Sequence, residues 1–138
     1  GGERPHEGID LMDRENTRGC LPIVSMTDGT VTRLGWLELG GWRVGVTSPS
    51  GGYFYYAHLA SYAEGLAEGM EVKAGQLLGV MGDTGYSTVE GTTGNFDVHL
   101  HVGMYLNAST SEEISVNPYW ILKYLEDHTI EYRYREVR

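Results

Sequence analysis

The chain has 138 residues and a formal net charge of −9 at pH 7, so it is most naturally one domain, long enough to bury about two-thirds of its unfolded surface. That acidic balance offers no basic stripe to displace counterions from phosphates. It excludes a nucleic-acid binder and passive adhesion to anionic membranes or wall polymers.

Twenty glycines, about twice the usual ~7% share, punctuate short segments rich in Val, Thr and aromatics, which is the texture of an all-β protein. Residues 23–34 read as two short strands joined at Asp28-Gly29, a dipeptide suited to a tight hairpin. Residues 42–48 and 53–58 form a second pair, connected by Pro49-Ser50-Gly51-Gly52. Residues 68–81 read as a turn entering a strand, with Gly69, Gly75 and Gly79 as breakers. A glycine- and threonine-rich stretch, residues 82–95, has no periodicity and suits a flexible wall of a cleft. Residues 96–106 form a further strand.

A helix is predicted from Asn117, a good N-cap, with Pro118 at the first helical position. Its apolar stripe is Trp120, Ile121, Tyr124 and Leu125, and it ends near His128, where the helix dipole favours a cation. Residues 131–138 alternate charge and aromatics as a last strand or a frayed tail. Neither an internal repeat nor a second-domain boundary is visible, so residues 1–138 are expected to be one unit. Cys20 is the one cysteine, which rules out an internal disulfide, and a small apolar buried thiol is the expectation there.

Asp97-Val98-His99-Leu100-His101-Val102 carries the chemistry. Side chains two apart on a strand share a face, so His99 and His101 stand side by side while Val98, Leu100 and Val102 enter the core. Two imidazoles so placed suit one metal ion, or a metal ligand beside a catalytic base. Further polar candidates are His6 and Asp10, four apart across a Gly8 bend, and His58 at the end of a strand. Neutral imidazoles plus one carboxylate suit Zn²⁺, and three such ligands leave a fourth position for water, as a hydrolytic site requires.

Six motifs in order carry a resemblance. His6-Glu7-Gly8-Ile9-Asp10 matches H-x-G-x-D, Asp28-Gly29-Thr30-Val31 matches D-G-x-V, and Tyr56-Ala57-His58-Leu59 matches Y-x-H-L. Gly69 to Gln76 matches G-x-x-V-x-x-G-Q, Gly82-Asp83-Thr84-Gly85 matches G-x-T-G, and His99-Leu100-His101 closes with H-L-H. From about residue 4 to residue 106 the chain resembles the lysostaphin/LytM-type zinc metalloendopeptidases (peptidase family M twenty-three). The resemblance implies an antiparallel, hybrid barrel-like core with a groove, and residues 117–138 lie outside that motif as a helical extension. It also implies one Zn²⁺ held by His6, Asp10 and His101, with His58 and His99 as metal-free catalytic histidines. The implied activity is hydrolysis of peptide bonds in bacterial peptidoglycan stems or cross-bridges, in a groove for which Tyr53, Tyr55, Tyr62, Tyr86 and Tyr105 are candidate lining.

Other classes fit these residues less well. An inactive scaffold or activator of wall hydrolases would typically have lost a ligand position, whereas all five positions are filled here. A lipoyl-type carrier needs a lysine at a hairpin tip, where Lys73 does not lie, and a cupin needs a Glu soon after its H-x-H. No ~20-residue apolar run and no signal peptide are present, and Gly1-Gly2 followed by His6 reads as a domain excised from a longer chain. The expected location is extracytoplasmic, through a missing N-terminal region, with a peptidoglycan peptide as partner and neither nucleic acid nor membrane contact by this domain.

Overall fold

A computed structural model of the chain describes residues 8–107, 113–116 and 119. Nine strands are described, all paired antiparallel: β1 Ile9–Met12, β2 Pro22–Val24, β3 Gly29–Leu37, β4 Gly41–Thr47, β5 Gly52–Tyr62, β6 Glu71–Val72, β7 Leu77–Met81, β8 His99–Asn107 and β9 Glu113–Val116. The main path runs β1-β8-β5-β4-β3-β6, while β7 joins β5 to β2 and β9 extends the edge of β8. The all-β expectation holds. The predicted helix at residues 117–128 and the segment at 131–138 lie outside the described residues, except for Tyr119.

Strand alternation builds the core. Val44 and Val46 of β4, and Leu100 and Val102 of β8, point to one face with Val98 just before β8. There they meet Val31, Tyr56, Leu59, Val72 and Leu78 in a single buried cluster. The opposite face of β4, β5 and β8 carries the polar and aromatic alternates. Residues 42–48 and 53–58 pair as expected, with Val46 opposite Phe54 and Val44 opposite Tyr56. Residues 68–81 form a turn into β7, with a two-residue strand, β6, before it.

The hairpin expected over residues 23–34 does not form. β2 pairs with β7, whereas β3 pairs with β4 and β6. Two side-chain facts explain it. The Asp28 carboxylate accepts the Ala74 N–H (2.8 Å) and so serves another turn, and Gly29 has no positive φ. Gly29 is needed instead for close approach, because a Cβ there would collide with the Thr47 carbonyl. Cys20 is exposed rather than buried, in the connection between β1 and β2 next to Gly19 and Leu21.

β5 breaks its own alternation next to the histidines. Trp42 faces Leu59 but Val44 faces Tyr56, so two residues, Ala57 and His58, oppose the single residue Arg43. This is a β-bulge, with His58 at φ +66°. The bulge turns His58 off the core face, on which simple alternation from Tyr56 would have put it. Leu59 is returned to the core in the next position.

Candidate active site

β1 and β8 lie in register, with Asp10 opposite His101 and Met12 opposite His99, while Ala57 of β5 faces His101 from the other side. Asp10, His99 and His101 therefore share the face turned away from the core, and the bulge delivers His58 to it. The His58 and His99 rings are 4.7 Å apart between centroids, and His58 and His101 are 6.3 Å apart. Asp10 Oδ1 stands 2.8 Å from His101 Nδ1 and 3.9 Å from His99 Nε2.

Each ring orientation has a cause. His58 Nδ1 lies 2.7 Å from the Thr84 carbonyl and His99 Nδ1 lies 2.8 Å from the Asp97 carbonyl. A carbonyl can only accept, so both Nδ1 atoms carry hydrogen and both Nε2 atoms of the neutral rings are left as acceptors. His101 is turned the other way. Gly8, at φ +129°, lies so close that a Cβ there would be 2.9 Å from His101 Nε2 and would collide with the Val102 carbonyl. With Nε2 against the chain, Nδ1 is the His101 atom that faces Asp10.

Burial pushes the His58 imidazole down to about 4, the neighbouring His99 and His101 add to the drop, and the bond to Thr84 opposes it. A ring with that value is about 99% neutral at pH 6. In the metal-free protein the ring-carbon NMR resonances of His58 should titrate with a midpoint near 4, and a midpoint near 6.5 would contradict the burial argument. The unfolded chain binds this proton first, so the contribution of His58 is present above the ordinary histidine value near 6.5 and is lost as pH falls towards 4.

Around the histidines, Phe96 packs edge-on against both His58 (4.7 Å) and His99 (5.0 Å), and Tyr86 stacks on His58 at 6.0 Å. The Tyr55 ring meets His101 edge-on at 6.2 Å, and Tyr53 and Tyr105 pair with each other (5.9 Å) further along the same face. Tyr62 is engaged elsewhere. Its hydroxyl donates to the Arg43 carbonyl (2.8 Å) and accepts from the Gly35 N–H (2.8 Å), and its ring packs on Trp42.

The stretch of residues 82–95, expected to be flexible, is tied down at several points. Arg18 makes two hydrogen bonds to Asp83 (2.6 and 2.9 Å), which hold that carboxyl below the usual range, and Asp83 also accepts the Gly94 N–H. Ser87 N–H donates to the Glu38 carbonyl, and Trp36 Nε1–H to the Ser87 carbonyl.

Asp10 and His101 are of the side-chain types that ligate zinc, and their Oδ1 and Nδ1 atoms stand at a hydrogen-bonding 2.8 Å, shorter than the about 3.3–3.6 Å between ligand atoms ~2.0–2.2 Å from a tetrahedral ion. His6, the third implied ligand, lies outside the described residues. Among the described residues, no three His, Cys, Asp or Glu side chains form a metal-binding group. Thr84, Phe96 and Gly8 are parts of the site that residue chemistry alone did not assign. The first and last of them stand inside motifs already quoted, G-x-T-G and H-x-G-x-D.

An antiparallel sheet face here carries an Asp–His pair beside two more imidazoles, on a lysostaphin-like fold. The chain matches Peptidase family M23 over residues 4–118 and belongs to that family. It is 40% identical over 119 residues to an L-Ala--D-Glu endopeptidase of Bacillus subtilis, covering 86% of this chain and 35% of that protein. It also resembles the crystal structure of a candidate glycyl-glycine endopeptidase, lytM, from Ruminococcus gnavus (62% identity, TM-score 0.86, 98% of this chain and 53% of that one). The lysostaphin catalytic domain of Staphylococcus simulans superposes with a TM-score of 0.64 at 31% identity, over 86% of this chain and 79% of that one. The chain spans about a third of the length of the B. subtilis relative.

Proposed function

We propose that this chain is the peptidase domain of a zinc-dependent endopeptidase that hydrolyses peptide bonds in bacterial peptidoglycan, acting outside the cytoplasm. The observation that carries the reading is the convergence of Asp10 and His101 at 2.8 Å beside the His58–His99 pair. Membership of a peptidase family supports it, as do relatives named for an L-Ala--D-Glu bond and for glycyl-glycine bonds.

Under this reading His6, Asp10 and His101 hold the metal. When bound, zinc supplies Lewis-acid chemistry, acidifying water and polarising a carbonyl. The chain's own residues do the rest. His58 and His99 present Nε2 acceptors whose tautomers are set by the Thr84 and Asp97 carbonyls. As water oxygen bonds to the scissile carbon, this pair takes up its proton and delivers it to the amine nitrogen as the C–N bond breaks. Phe96 packs against both rings and Tyr86 stacks on His58, which limits the access of bulk water to the pair.

The test is digestion of purified peptidoglycans of several cross-bridge types, with zinc and with a chelator, followed by mass spectrometry of the fragments. Chelator-sensitive release of new peptide termini is the expected result. A zinc-loaded protein that releases nothing from any wall would overturn the reading.

A further inference from the structure

The face of β4 turned away from the core carries Arg43, Gly45 and Thr47, the alternates of buried Val44 and Val46. Two phenols fold across it. A Cβ at Gly45 would collide with the Tyr53 hydroxyl, and one at Gly40 with the Tyr55 hydroxyl, so these glycines are the seats of the two tyrosines. Arg43 stands on this face opposite the Ala57–His58 bulge, close enough for its charge to act on Tyr55.

Arg43 Nη1 is buried without a hydrogen-bond partner, and among the described residues the guanidinium makes neither a hydrogen bond nor an ion pair. Other described cations are differently placed: Arg18 is committed to Asp83, and Lys73 lies beside Asp28. A buried guanidinium donor left unpaired is costly, and native structures seldom keep one without a ligand or water to receive it. The matching acceptor for its planar fork is a carboxylate, held by two parallel hydrogen bonds. Tyr55 stays an –OH beside it, because burial pushes that phenol up to about 12.

Position relates Arg43 to the reacting centre. It lies on β4, with β5 between it and His101 on β8, so the two are roughly 10 Å apart at ~4.8 Å per strand. An extended peptide crosses that distance in about three residues.

We propose that Arg43 is a specificity residue that recognises a carboxylate on the substrate within about three residues of the cut bond. The groove would then select acidic stem peptides over uncharged glycine bridges. This rests on the endopeptidase reading and names its substrate class. The protein's net charge of −9 disfavours anionic peptides in general, so selection of one must be local.

The test uses two labelled stem tetrapeptides that differ in one group, a D-Glu carboxylate and its amide. Binding is measured by fluorescence polarisation to zinc-loaded wild type, Arg43→Gln and Arg43→Lys, and cleavage is followed separately by mass spectrometry. Wild type should prefer the acid by at least about ten-fold, Arg43→Gln should bring the ratio close to one, and Arg43→Lys should keep part of the preference. Melting curves check that each variant folds, and Arg43→Lys decides alone if Arg43→Gln does not. A wild type indifferent to the carboxylate, or a variant that weakens acid and amide alike, would overturn the proposal. Acid preference without cleavage would overturn the endopeptidase reading and leave the carboxylate site standing. Cleavage without preference would do the reverse.

Discussion

His101→Ala is expected to lose zinc and, with it, all measurable hydrolysis, whereas His99→Ala should keep a full equivalent of metal and lose about 10²–10⁴ in rate. The two histidines share a strand face and a motif, so composition cannot separate them; their surroundings do. His101 has Nε2 against Gly8 and Nδ1 turned to Asp10 at 2.8 Å, so its one available donor atom sits beside a carboxylate oxygen. His99 is 3.9 Å from the same oxygen and is held by the Asp97 carbonyl in an orientation that brings its ring against His58. Removing a ligand should cost more than the 10–100-fold in affinity typical of losing a group that only orients one. Metal content of the two purified variants, measured by plasma mass spectrometry beside the rate on a wall peptide, checks the division. Equal zinc in both would end it.

The face these residues share was readable from β8 alone. Val98, Leu100 and Val102 alternate with His99 and His101, and a period of two leaves one arrangement when one face must be buried. Asp10 was readable only as a motif member, since its position opposite His101 depends on strand pairing that local sequence does not encode. His58 was readable as a histidine but not as a bulge. Nothing in Tyr56-Ala57-His58-Leu59 announces a positive φ, and no glycine marks it. The conformation is imposed from outside, by the Gly40 carbonyl receiving the His58 N–H and by Thr84 receiving its ring. Tyr62, a candidate for the groove, has its hydroxyl bound elsewhere for a related reason. After a second register shift between Leu59 and Ser61, its side chain serves the β3–β4 end instead. Asp28-Gly29 misled because a dipeptide reports what a turn can be and not where its carboxylate is used.

Thr84→Val is the substitution expected to cost the fold most for the smallest change in shape. At the bulge the β4–β5 ladder is interrupted, and Trp42 and Leu59 face each other across the gap. The Thr84 hydroxyl fills it, accepting the Trp42 N–H (3.2 Å) and donating to the Leu59 carbonyl (2.7 Å), in a residue only 2% exposed. Valine preserves the volume and removes both bonds, leaving a donor and an acceptor without water to receive them. At about 1–3 kcal/mol for each of the two buried groups left unpaired, the loss is roughly 2–6 kcal/mol. At roughly 3–5 °C per kcal/mol for a domain of this size, that lowers the melting temperature by at least about 6 °C. Thr84→Ser keeps the hydroxyl and should recover most of it, which separates hydrogen bonding from packing. Hydrogen exchange adds a local readout: the Trp42 amide should lose protection in Thr84→Val and regain it in Thr84→Ser. If Thr84→Val melts within about 2 °C of wild type, the hydroxyl is not what closes the ladder, and the bulge that aims His58 must be held by the Gly40 contact instead.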